Sequence, residues 1–176
     1  MDESDLRAQL EELHPLSYGW ALNCCARNPT EAEDILQTAY LKILDGRARF
    51  DGRAALKTWL FAVIRRTAAD ERRRNWLRRL RLESFGRERA GESQSATLAE
   101  APEQAERLKV FRQALAKLPR RQQEVLHLVF YQELTVEEAA GVMGVSLGSA
   151  RTHYARGKHR LGEWLHESEH FDEYRR

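Results

Sequence analysis

Apolar residues return every three or four positions along most of this chain, and that period predicts a run of helices. Leu6, Leu10, Leu13, Leu16 and Trp20 keep roughly a helical step as far as Ala26, with Pro15 breaking or restarting the helix. Asn28-Pro29-Thr30 reads as a turn. Thr30 with Glu33 then offers a capping box for a helix to about Leu44, whose inward stripe is Ala32, Ile35, Leu36, Ala39 and Ile43. A longer helix is predicted from Ala54 to about Leu82, with Leu56, Trp59, Leu60, Val63 and Thr67 on its buried side. The period fades from Glu83 to Ala105, where Gly, Ser, Glu and Pro give the composition of a flexible linker. It resumes with Leu108, Phe111, Leu115 and Leu118. Pro119 breaks that helix and begins another, with Val125, Leu126, Val129 and Phe130 on its apolar side.

The sharpest pattern runs from Leu134 to Leu161 and predicts two helices across a tight turn. Thr135 and Glu138 have capping-box spacing, Val136, Ala139, Ala140 and Met143 recur at helical steps, and Gly144 supplies a left-handed stop. Ser146 caps the second helix, which buries Leu147, Ala150, Tyr154, Gly157 and Leu161. Its outward face holds Ser149, Arg151, Thr152, His153, Ala155, Arg156 and His159, a cationic, hydrogen-bonding surface of little bulk. Such a helix suits the DNA major groove, although an ordinary helical hairpin with a solvated basic face carries the same residues.

Charge changes the picture. The net value of +2 conceals blocks: residues 47–81 hold 12 Lys and Arg against 3 Asp and Glu, and residues 107–161 hold 10 against 4. The flanking stretches 1–46, 82–106 and 162–176 are each acidic on balance. Two basic blocks separated by an acidic spacer imply two polyanion sites on one chain. In the first block Trp59 and Phe61 stand among arginines, a combination that suits single-stranded nucleic acid, while Trp59 also fits a plain core position. Asp34, Gln37 and Leu41 share a helix face apart from the apolar stripe, which fits either a protein-docking patch or a solvated surface.

Other classes find little support. The acidic N-terminus lacks a signal peptide's apolar core, and no window reaches the length of a membrane span, so a cytoplasmic protein without membrane insertion is expected. Cys24 and Cys25 lack zinc-site spacing and read as buried thiols of a reducing compartment. No metal set, phosphate loop or nucleophile elbow occurs, so neither a cofactor nor an enzyme activity is expected.

Taken together, these motifs resemble a bacterial RNA polymerase sigma factor of the extracytoplasmic-function (ECF) group. Ala32-Glu33-Asp34-Ile35-Leu36-Gln37 is similar to that family's AEDLxQ segment, and Phe50-Asp51-Gly52 with Thr58-Trp59-Leu60-Phe61 to its F-x-G and TWL element. Leu118-Pro119, Glu138-Ala139-Ala140 and Gly148-Ser149-Ala150-Arg151 resemble its LP, EIA and GTVKSR series. Arg66 departs from the usual Asn. Ser149, Ala150, Thr152 and His153 stand for the common Thr, Val, Ser and Arg.

The resemblance implies an all-α chain of two small helical domains joined by a flexible linker, the second containing a helix-turn-helix. The expected boundaries are 1–82, linker 83–105, 106–166, and an acidic tail 167–176. It implies an alternative sigma factor that binds core RNA polymerase, at the β′ clamp helices and the β flap, and promoter DNA, with an anti-sigma factor as a further partner. By position, Asp34, Gln37 and Leu41 dock the polymerase. Arg53, Ala54, Lys57, Thr58, Trp59, Arg65, Arg66, Arg72 and Arg73 hold and open the −10 element. Gly148, Ser149, Arg151, Thr152, Ala155 and Arg156 face the −35 element. Two rivals fit parts of the pattern: a regulator with an N-terminal sensor domain, which has no use for the arginine-loaded TWL helix, and an interaction bundle, which leaves both basic blocks unexplained.

Overall fold

The computed structural model describes residues 3–83 and 113–167, and among these every regular element is a helix. The chain divides into two compact units, Met1–Ala96 and Thr97–Arg176. The linker at 83–105 and the tail at 167–176 fall almost wholly outside the described residues, as do Leu108 and Phe111.

The first unit holds α1 (Glu3–Glu12), α2 (His14–Cys24), α3 (Pro29–Leu44) and α4 (Leu56–Glu83), with α2, α3 and α4 packed on one another. Pro15 restarts the chain as a helix, since a proline in the first turn lacks only an N–H that would have no intrahelical partner. The cap of α3 is Asn28, not Thr30: Asn28 Oδ1 accepts from the Glu31 N–H at 3.2 Å, and Pro29 opens the helix with its φ already set. The stripe Ala32, Ile35, Leu36, Ala39 and Ile43 is buried throughout. Leu16, expected inside, is exposed.

At the centre of this core lies Trp20, fully buried, whose indole N–H donates to the Phe61 carbonyl at 3.0 Å. That bond satisfies the indole's single donor and pins α2 to α4. It also fixes the roll of α4. Thr58, Leu60, Phe61, Ile64, Thr67 and Ala68 face the core, whereas Leu56, Trp59 and Val63 are only half-buried.

The second unit holds a helical stretch at 113–117, then α5 (Arg120–Phe130), α6 (Val136–Met143) and α7 (Leu147–Glu167). Leu115, Leu118, Val125, Leu126 and Leu128 build its core with Ala139, Ala140, Val142, Met143, Ala150 and Leu161. Phe130, expected on the apolar side of α5, is exposed at the last turn and stands 6.1 Å from the Tyr154 ring. Gly157 lets α7 approach α5 closely. A Cβ there would lie 3.0 Å from Leu126 Cδ1 and 3.2 Å from Gln122 Cβ.

Candidate functional site

In the second unit the turn between α6 and α7 is fixed at both ends. Thr135 Oγ1 accepts from the Glu138 N–H, and the Glu138 carboxylate accepts from the Thr135 N–H at 2.8 Å, which completes a capping box. Gly144 ends α6 in the left-handed region at φ 63°, where a residue with a Cβ is strained. Ser146 Oγ then accepts from the Ser149 N–H at 3.2 Å and caps α7. A buried carboxylate holds the pair in place. Glu124 is salt-bridged to Arg120 at 3.1 Å and Arg121 at 3.3 Å, and Arg121 also donates to the Met143 carbonyl at 3.2 Å. Buried charge without such partners would be costly, so this cluster specifies how α5 meets the end of α6.

What this scaffold presents is the outer face of α7. Gly148, Ser149, Arg151, Thr152, Ala155 and Arg156 are all exposed while Ala150, Gly157 and Leu161 are buried. Tyr154 and Leu147, expected inside, are half-buried. The Thr152 hydroxyl donates to the Gly148 carbonyl at 3.0 Å, leaving its lone pairs as acceptors. Small side chains at 148, 149 and 155 let the helix backbone approach a groove floor, and the two guanidinium groups supply paired donors there.

In the first unit the loop between α3 and α4 folds back on the helix it precedes. Phe50 packs against Trp59, ring centroids 5.3 Å apart, and Gly46 and Gly52 take positive φ at the bends. Beside that pair opens a pocket of about 430 Å³ lined by Arg47, Arg49, Trp59, Ala62, Val63 and Arg66. Lys42 closes one side, donating to Thr67 Oγ1 at 3.0 Å with Asp70 3.8 Å away. An apolar floor with a cationic rim takes a flat ring flanked by phosphate. Arg47 and Arg49 were legible only as part of a basic loop. Their convergence with Arg66 depends on the fold.

The remaining expected −10 residues do not all join this pocket. Arg53 is almost fully exposed and pairs with Asp51 at 3.3 Å, Ala54 is exposed ahead of the helix, and Lys57 and Arg65 are half-buried on α4. Thr58 is buried, and so is Phe61, which forms the core contact with Trp20, so neither side chain lies on the exposed surface. Arg73 is exposed. Arg72 is turned elsewhere, donating to the Cys24 carbonyl at 2.8 Å.

Arg72 belongs to a second feature, a groove of about 450 Å³ between α3 and α4. Asp34, Gln37 and Leu41 line it from α3, Glu71, Arg72, Asn75 and Arg78 from α4, and the buried thiols Cys24 and Cys25 at its base. Leu41 is 55% exposed, an apolar group held in water. On the opposite flank of α3, His14 Nδ1 lies 3.1 Å from the Tyr40 hydroxyl, and burial pushes the Tyr40 phenol above its ordinary pKa. Among the described residues no His, Cys, Asp and Glu group has the makings of a metal site, and no helix is long and apolar enough to cross a membrane.

Comparison with known proteins places both units in one family. Residues 10–78 match the family Sigma-70 region 2, and residues 108–161 match Sigma-70, region 4. The chain is 32% identical to RNA polymerase sigma factor YlaC of Bacillus subtilis, over 86% of this chain and 89% of that one. It is 30% identical to ECF RNA polymerase sigma factor EcfG of Rhodopseudomonas palustris, over 79% and 74%. Among solved structures it resembles the sigma factor RpoE of Bartonella quintana, in complex with the anti-sigma factor NepR, with a TM-score of 0.72. That match has 22% identity and covers 93% of this chain and 98% of that one. CnrH, in complex with the cytosolic domain of CnrY, gives a TM-score of 0.62 at 20% identity, over 95% and 91%. At those identities the two structures speak to the fold.

Proposed function

The chain belongs to the ECF group of RNA polymerase sigma factors, which direct promoter-specific transcription initiation, and from that premise we propose how its own surfaces divide the work. The α7 face reads the −35 element in the major groove, with Arg151 and Arg156 as donors and Ser149, Thr152 and Ala155 allowing close approach. The loop and the start of α4 hold and open the −10 element. A base leaving the duplex loses stacking worth a few kcal/mol, and the pocket beside Trp59 offsets that loss with ring contact and guanidinium groups.

Asp34, Gln37 and Leu41 form the contact with core polymerase at the β′ clamp helices, and the second unit touches the β flap. An anti-sigma factor fits as the opposing partner, since RpoE was solved in complex with the anti-sigma factor NepR and CnrH in complex with the cytosolic domain of CnrY. The chain therefore acts in the cytoplasm with the polymerase, as a transcription regulator. The acidic block at 1–46 opposes DNA binding by the chain alone.

One observation carries this reading: each of the two units presents a separate exposed cationic surface, one on a groove-sized helix and one around an aromatic pocket. Transcription from a randomised promoter library with reconstituted holoenzyme tests it. The account expects enrichment at two conserved blocks a fixed distance apart. Enrichment at one block only would remove the role assigned to one of the units.

A further inference from the structure

Three large apolar side chains in the C-terminal half of α4 line neither the pocket nor the docking groove. Trp76 is 59% exposed, and Leu77 and Leu80 beside it are 43% and 44% exposed. A large aromatic side chain held in water next to two exposed leucines forms a patch that calls for a partner. Its surroundings are cationic: Arg73, Arg79 and Arg81 lie within five residues of Trp76, as do Arg78, which also lines the docking groove, and Arg74, which pairs with Glu71 at 3.3 Å, and no acid occurs from 72 to 81.

The patch is in line with the pocket. Residues 66, 73, 77 and 80 follow one another at steps of seven, four and three, so they share one face of the helix, with Trp76 at its edge. Arg66 is already in the pocket wall with Trp59, and Arg73 stands exposed between the pocket and the patch. Seventeen residues separate Trp59 from Trp76, a rise of about 25 Å along a helix, which about seven stacked nucleotides cover.

We propose that Trp76 is a second stacking platform for nucleic acid, receiving a base of the opened promoter strand whose other end is held in the pocket at Trp59. Stacking on an indole is indifferent to which base arrives, and arginines on either side track the phosphates. Leu77 and Leu80 give apolar support to the sugar and base faces. An acidic amphipathic protein segment also complements arginines and leucines. The strand is favoured because the patch continues a line that begins at a ring-sized cationic pocket. This inference rests on the reading of that pocket as the −10 strand site.

The test uses holoenzyme and a promoter fragment with a pre-melted −10 region, carrying 2-aminopurine at successive positions of the single strand. Wild-type holoenzyme quenches 2-aminopurine at one position within about seven nucleotides of the base held at Trp59. Trp76→Ala relieves that quenching and weakens binding about ten-fold, while Trp76→Phe, which keeps a ring, retains most of both. Quenching unchanged in Trp76→Ala overturns the proposal. So does a loss in Trp76→Ala of affinity for core polymerase or for an anti-sigma factor with DNA binding intact, which assigns the patch to protein. The double variant Arg49→Ala with Arg66→Ala separates the two readings. If it binds the pre-melted fragment normally, the pocket assignment fails; if it binds weakly and only Trp76→Ala is silent, the second platform alone fails.

Discussion

Arg72 donates from its guanidinium to the carbonyl oxygen of Cys24, 48 residues earlier, and so fastens the middle of α4 to the last turn of α2. A cation at a helix C-terminus also meets the negative end of the helix dipole. In sequence Arg72 is one of three consecutive arginines. In the fold it is the one turned toward the groove that Asp34, Gln37 and Leu41 line.

Replacing Arg72 with Ala therefore lowers stability by about 1.5–3 kcal/mol, the range for a hydrogen bond to a charged donor. Arg73→Ala, from an exposed position, stays within about 0.5 kcal/mol of wild type. Urea unfolding of both variants separates them, and equal midpoints would remove the structural role of Arg72.

Asp34 and Gln37 sit on the exposed wall of the same groove and contribute little to the core. Their double Ala variant weakens binding to core polymerase and leaves Tm nearly unchanged. A large drop in Tm with normal core affinity would make this face structural.

At Gly157 an added Cβ meets Leu126 and Gln122 at 3.0–3.3 Å, tighter than ordinary contact, and Leu126 is itself fully packed. Overpacking costs about 1–3 kcal/mol against the roughly 1 kcal/mol that Ala gains over Gly in a helix. Gly157→Ala accordingly destabilises the chain in thermal or urea unfolding, and a stabilised variant would mean that α5 and α7 separate freely.

Loss of the capping box at α6 has a comparable signature. Thr135→Ala removes the acceptor for the Glu138 N–H and costs about 1 kcal/mol, while Thr135→Ser keeps it. Identical stabilities for the two variants would show that the eight-residue helix is held by packing alone.

Much of this organisation was legible in the sequence where one local rule acted without competition. The α3 stripe came out whole because its apolar positions follow a single helical period. Thr135, Glu138 and Gly144 were readable because capping and left-handed termination are local. Elsewhere two signals competed. Asn28-Pro29-Thr30 read as a turn and Thr30-Glu33 as the start of α3, whereas the proline's preset φ lets the helix begin two residues earlier, capped by Asn28.

At the beginning of α4 the run LKTWLFAVI is apolar nearly all round, so periodicity could not choose a face. The choice fell to Trp20, distant in sequence, whose bond to Phe61 turned Phe61 and Thr58 inward and left Trp59 at the pocket. The pocket itself, and the turn of Arg72 toward Cys24, depend on contacts between segments far apart in the chain. No local pattern records them.

The central claim is that α7 reads bases, and Arg151 gives it the most direct test. Its guanidinium is exposed in the early turns of the helix, and under that claim it enters the major groove and pairs bidentately with guanine. The measurement is the affinity of holoenzyme for a matched promoter and for one mutated in the −35 element, across a salt series, with wild type and Arg151→Ala. The account predicts that Arg151→Ala weakens the matched promoter about ten-fold or more and the mutated one far less, narrowing the preference at one base pair. Equal losses on both promoters, with the salt slope lowered by about one, would contradict it and reduce Arg151 to a phosphate contact.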